Sequence, residues 1–195
     1  MNRTVIAIMA IMAIVIAIIV VRIDVVNVFQ IMSGGERYES AIQILKSAKS
    51  EESRFYALDD AAKESFIYGK INDAQKYAEE LHFLLPNYKK NWNYGNAVQD
   101  TNIVFGRIAV TNGHINKAKQ FLLAAGRSPG SPQMNSFGPN MSLAKDLLEQ
   151  GENKVVLEYF ELCRIFWSGH LGKLDKWSST VKNGGVPHFG ANLIL

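Results

Sequence analysis

The chain has 195 residues, 48% of them apolar, and a formal net charge of +3, which suits one compact domain with an appendage. Its 21 Lys and Arg residues are scattered rather than gathered into the dense patch of a nucleic-acid binder, so no nucleic-acid partner is expected. The single cysteine, Cys163, excludes an internal disulfide and a cysteine-rich metal centre.

The apolar content is unevenly spread. Thr4–Val21, TVIAIMAIMAIVIAIIVV, carries no charge, and an apolar run of about 18 residues is near the lower limit for spanning a bilayer as a helix. A secretory signal is the rival reading, since Arg3 precedes the run. Signal cores are shorter, roughly 7–15 residues, and end at a small-x-small cleavage site. The segment that follows, RIDVVNVFQIM, offers no such site. The expectation is an uncleaved membrane anchor over residues 1–26. Its short basic tail favours a cytoplasmic N-terminus, with everything after Val21 outside. Residues 27–37, with the Gly34-Gly35 pair, read as a hinge or linker, and residues 38–195 as a helical domain.

Within that domain almost every segment has helical periodicity. Ala41, Ile42, Leu45 and Ala48 mark a short amphipathic helix near Tyr38–Lys49. Ser50 is placed to cap the next helix, and Glu51 and Glu52 suit the positive end of its dipole. That helix should run to Tyr68 and stop at Gly69. Asn72 then reads as the cap of a partner helix with Ala74, Tyr77, Ala78 and Leu81 facing inward and Pro86 at its end.

A second hairpin repeats the pattern. A helix near Gln99–Asn112 should stop at Gly113, with Asn116 as cap and Ala118, Phe121, Leu122 and Ala125 inward. The phrase Gly-x-Ile-Asn-x-Ala is common to YGKINDAQKYAEEL and NGHINKAKQFLLAA, whose glycines lie 44 positions apart. A third hairpin follows as SLAKDLLEQ, Gly151, Asn153 and VVLEYFELCRIFW. Leu174, Trp177 and Val181 share one face of a closing helix near Lys173–Asn183, which should act as the C-terminal cap. No single hairpin can bury its apolar stripe alone, and stacking the hairpins solves that problem.

This pattern resembles the tetratricopeptide repeat. With the family's turn glycine on Gly69, Gly113 and Gly151, its small first-helix residue falls on Ala62, Gly106 and Ala144. Its small second-helix residue falls on Ala74 and Ala118, and Val156 departs in the third copy. The resemblance covers about Phe55–Ser168. The family's first-helix Trp and Tyr are missing, and the repeat starts at 55, 99 and 137 differ by 44 and 38, not the usual roughly 34. It implies an all-α solenoid of about three hairpins plus a C-terminal cap, behind one transmembrane helix.

The excess length lies in two inserts, NYKKNWNYGN and RSPGSPQMNSFGPN. Both end in a related phrase, Tyr94-Gly95-Asn96 and Phe137-Gly138-Pro139-Asn140, which returns as Phe189-Gly190-Ala191-Asn192. These phrases read either as helix-start devices, an aromatic staple with an Asn cap, or as a binding edge formed by Tyr94, Asn96, Phe137 and Asn140. Lys63, Arg107 and Lys145 share one first-helix position in all three copies. The family resemblance implies that this position lies on the concave face that meets ligands. Such a basic ladder could hold the carboxylates of an acidic segment, or it could be three solvated cations with apolar stems.

No catalytic constellation is evident. Cys163 with His170 is the least poor pair, but Cys163 lies among Phe160, Phe166 and Trp167, where an inert buried thiol is expected. The four histidines lack paired metal-ligand spacing, and there is no phosphate-binding glycine loop, so neither metal nor cofactor is expected. The sequence thus favours a membrane-tethered, non-catalytic scaffold that binds a protein or peptide. The alternatives are a structural subunit of a larger membrane complex, or an enzyme using Cys163 and His170.

Overall fold

A computed structural model of the chain describes residues 35–193. The anchor expected over 1–26, Gly34 and the last two residues lie outside them. Among the described residues every regular element is helical and no β-strand occurs. None of the described helices is long and apolar enough to cross a membrane.

Helix α1 (residues 35–47) buries Ala41, Ile42 and Leu45, the face that periodicity selects. It already includes residues 35–37, which the sequence assigns to the linker. Helix α2 (Glu51–Ile67) starts from Ser50 in a capping box. The Ser50 hydroxyl accepts the Ser53 N–H at 3.1 Å, and Ser53 Oγ accepts the Ser50 N–H at 3.0 Å. Two donors that the first turn would otherwise leave unpaired are thereby satisfied.

The turn into α3 (Ile71–Leu84) shows why Gly69 is there. Its φ is 81°, a left-handed value that costs other residues about 1–2 kcal/mol. With the chain reversed at Gly69, the Gly69 N–H reaches the Phe66 carbonyl and the Lys70 N–H reaches the Ser65 carbonyl, at 3.0 and 2.8 Å. This pair of bonds is a Schellman motif. It recurs at Gly113, Gly151 and Gly184, so the glycine grammar is a repeated helix stop.

The expected caps Asn72 and Asn116 are corrected by the same geometry. Lys70 and His114, the last residues of their Schellman turns, themselves sit at the N-cap positions of α3 and α5 (Ile115–Gly126), and neither side chain caps. The turn is so short that each Asn already lies in the first helical turn. Helix α4 (Tyr94–Thr111) also begins five residues before the expected Gln99, because the glycine of its first turn is required by packing and does not break the helix.

The second insert forms α6 (Pro132–Phe137), whose cap Ser131 accepts the Met134 N–H at 3.0 Å. Helices α7 (Ser142–Glu149) and α8 (Asn153–Phe166) make the third hairpin, and α9 (Lys173–Lys182) lies against α8. The first helices of the three hairpins touch in order, α2 with α4 and α4 with α7. Contact is close because the facing residues are small. Ala62, Ala74, Ala118 and Ala144 are buried, and a Cβ on Gly106 would stand 2.1 Å from Leu143 Cδ2. Val156 replaces the small residue in the third hairpin and is buried as well. Leu174, Trp177 and Val181 of α9 close the last cluster, with the Trp177 ring 5.0 Å from that of Phe189.

Candidate functional site

The three aligned cations stand on α2, α4 and α7, and each is held by a carboxylate of the same chain. Lys63 Nζ on α2 reaches Asp100 Oδ2 on α4 at 3.3 Å, and Asp59 and Asp60 on its own helix at 3.6 and 3.4 Å. Arg107 Nε on α4 reaches Asp146 Oδ2 on α7 at 2.7 Å, and its guanidinium lies 4.5 Å from the Phe66 ring centroid. Lys145 on α7 turns to Glu149 one helical turn away, at 2.5 Å. Two of the cations therefore tie each first helix to the next, and the third closes on its own helix.

The innermost group sets the electrostatics. Burial alone would lower the Lys63 pKa, but Asp100, Asp59 and Asp60 outweigh it and hold the ammonium above its ordinary range. Asp100 is displaced upward, first by burial and then by the neighbouring Asp59 charge, with Lys63 opposing. Both carboxylates face the same ammonium, Lys63 Nζ standing 3.3 Å from Asp100 and 3.6 Å from Asp59.

Beside this cluster is a cleft of about 300 Å³, walled by α2, the start of α4 and α6. Lys63, Asn96 and Phe137, three of the residues singled out by sequence, line it together with Asp60, Gln99 and Gln133. Phe137 ends α6 on the rim, 65% exposed. Asn96 belongs to the wall. Its amide donates to Asn93 Oδ1 at 2.7 Å, and its carbonyl accepts the Ser131 hydroxyl at 2.5 Å, joining α4 to the second insert.

Arg107 and Asn140 line a smaller recess beyond Lys63. Asn140 is buried in a polar network. Its N–H donates to Gln99 Oε1 at 2.9 Å, its carbonyl accepts the Tyr159 hydroxyl at 2.8 Å, and Gln99 Nε2 donates to that hydroxyl at 3.2 Å. Tyr94 packs on the cluster formed by α1, α2 and α3 and does not line the cleft.

The three aromatic-glycine phrases differ in structure. Tyr94 opens a helix, Phe137 ends one, and Phe189 precedes a final 3-10 turn, Gly190–Leu193. The last two phrases meet: Asn192 Nδ2 donates to the Phe137 and Pro139 carbonyls at 3.1 and 3.0 Å. Asp59, Asp60, Asp100, Gln99 and Gln133 are missed by the sequence reading. Asp59 and Asp60 lie four and three residues before Lys63 on its own helix, whereas Asp100, Gln99 and Gln133 are brought in by other helices and carry no local signal.

Cys163 is fully buried, and burial pushes its thiol well above the ordinary range despite the Tyr159 hydroxyl beside it. His170 accepts the Gly172 N–H at 3.2 Å and faces Trp167. Among the described residues no group of acidic, His or Cys side chains could hold a metal ion. No family model matches the chain, and no curated protein or solved structure shows significant similarity to it.

Proposed function

We propose that the protein is a non-catalytic scaffold, a tetratricopeptide-like stack of helical hairpins held to a membrane by Thr4–Val21, with its helical domain outside the cytoplasm. It binds an extended segment of a protein partner along its first helices, with Lys63, Arg107, Lys145, Tyr94, Asn96, Phe137 and Asn140 as the proposed contact region. One observation carries this reading: a cleft between the first helices and the second insert, with the exposed Gln133 amide on its wall and an exposed Phe137 on its rim. Amides and an exposed ring are groups that recognise a polypeptide, through its backbone and through one apolar side chain.

The cations divide into two kinds. Lys63 has three carboxylates around it and is 18% exposed, so it is a fixed part of the wall. Lys145 is 39% exposed, and its partner Glu149 is 51% exposed. Such an exposed pair contributes little to folding and can exchange for a carboxylate of an acidic partner. Arg107 can do the same by trading Asp146 for a bidentate contact.

The acid pair does not favour catalysis. A general acid needs space for substrate beside it, and the position in contact with both Asp59 and Asp100 is occupied by the Lys63 ammonium. The test is co-purification of the full chain from its native membrane, compared with Gln133→Ala/Phe137→Ser. Both side chains are exposed, so folding should be unchanged by circular dichroism while the co-purifying polypeptide is lost. If the variant retains the same polypeptide in the same amount, the cleft is not the binding site.

A further inference from the structure

A larger recess, about 580 Å³, lies on the far side of Phe137, between α6, α9 and the C-terminal segment. Its volume is in the range of small-molecule sites, roughly 300–1,000 Å³. Its wall is chemically one-sided. Lys173, Lys176 and His188 line it together with Trp177, Thr180 and Phe137, and among the described residues no carboxylate does.

The neighbouring acid is already engaged. Asp175, the one acidic residue of α9, meets Arg164 at 2.9 Å. On the described chain Arg37, Arg54, Lys63, Arg107, Lys119, Lys145 and Arg164 each hold a carboxylate within 4 Å, whereas other surface lysines, Lys76 and Lys154 among them, form no ion pair. Among the described residues, Lys173, Lys176 and His188 form no ion pair. Lys173 Nζ lies 5.6 Å from the centroid of the buried Trp167 ring, a contact that steadies the ammonium at the mouth of the recess.

A concave wall with one sign of charge and apolar flanks concentrates the field inside it and attracts the opposite charge. The floor adds Trp177 and Phe189, packed edge to face, which suits a planar body next to the charge. We propose that this recess binds a small organic anion: a phosphoryl or carboxylate group on a ring-sized apolar body, gripped by Lys173 and Lys176. The recess shares the Phe137 ring with the polypeptide cleft but not its lysines, so either site can fail without the other.

The probes are phenyl phosphate, phenylacetate and the neutral benzyl alcohol, titrated into full-length chain labelled with 15N-tryptophan in a neutral detergent. Three tryptophans give three side-chain signals, with Trp92 as the internal reference. At least one anion should shift the Trp177 signal saturably below roughly 10 mM, while benzyl alcohol binds at least about tenfold more weakly. The tighter of the two anions identifies the charged group. Lys173→Gln/Lys176→Gln should weaken binding about tenfold or more, and both side chains are exposed, so circular dichroism should not change. Lys176→Glu alone should weaken binding in the same direction and serves if the double variant fails to fold. The proposal is overturned if neither anion gives a saturable Trp177 shift. It is equally overturned if benzyl alcohol binds as well as the anions, or if folded lysine variants bind as tightly as the parent.

Discussion

Replacing Gly95 by Ala should destabilise the domain, the opposite of what helix propensity alone predicts. In an isolated helix the change would gain up to about 1 kcal/mol. Here a Cβ on Gly95 would stand 1.8 Å from the Gly130 carbonyl oxygen and 2.3 Å from its carbon. Reaching an ordinary contact of 3.4 Å requires a displacement of about 1.6 Å. Gly130 cannot retreat freely, because Phe166 is packed behind it. The shift would also pull apart the buried bond from Ser128 Oγ to the Gly95 carbonyl, 2.7 Å in the parent. Overpacking costs about 1–3 kcal/mol and the lost bond about as much, so the net loss is about 2–4 kcal/mol after the propensity gain. For a domain of this size that lowers Tm by roughly 5–15 °C. Thermal and urea unfolding followed by circular dichroism measure it. Gly113→Ala, where nothing lies within 4 Å, should lose only about 1 kcal/mol, from its left-handed backbone. A Gly95→Ala variant as stable as the parent would refute this account of how the second insert is seated.

Three further outcomes follow from the buried polar groups. Lys63→Met should cost about 3–5 kcal/mol at pH 7, because it strands Asp59 and Asp100 without a counter-charge. Asp100 binds its proton more tightly in the fold than in the unfolded chain, so its contribution to stability falls as pH rises above the ordinary carboxylate value of about 3.9. The penalty for Lys63→Met should therefore shrink by at least about 1 kcal/mol when urea titrations are repeated near pH 4. Asn192→Ala should cost about 2–4 kcal/mol in urea unfolding, since it leaves the Phe137 and Pro139 carbonyls without their donor. Alkylation of Cys163 by iodoacetamide should be at least about a hundredfold slower in native buffer than in urea, because its thiol is buried and pushed upward.

The parts of this structure that were legible in the sequence are those with short-range causes. Gly69, Gly113, Gly151 and Gly184 stop helices because a left-handed residue completes a local pair of bonds. Ser50 caps α2 through Ser53, three residues away. Leu174, Trp177 and Val181 share the covered face of α9, as their spacing requires. What was not legible depends on long-range partners. Gly95 looks like a turn residue until Gly130 is brought against it from the other insert. Asn72 looks like a cap until the Schellman turn is found to leave it no room. The alignment of Lys63, Arg107 and Lys145 was visible in sequence. Their carboxylate partners were not, because Asp100 and Asp146 stand on the next first helix, 37 and 39 residues away.

The central claim is that one face of the helical stack, the cleft beside Phe137, receives a polypeptide. A photoreactive amino acid placed at Gln133, in the cleft, can be compared with one at Gln75, an exposed position on α3 outside it. Both full-length proteins are expressed in the native cell, irradiated, purified under denaturing conditions and examined for added mass. The account predicts a discrete polypeptide adduct from Gln133, absent from Gln75 and reduced by Phe137→Ser. An irradiated Gln133 protein without an adduct, or one whose adducts match those of Gln75, would contradict it.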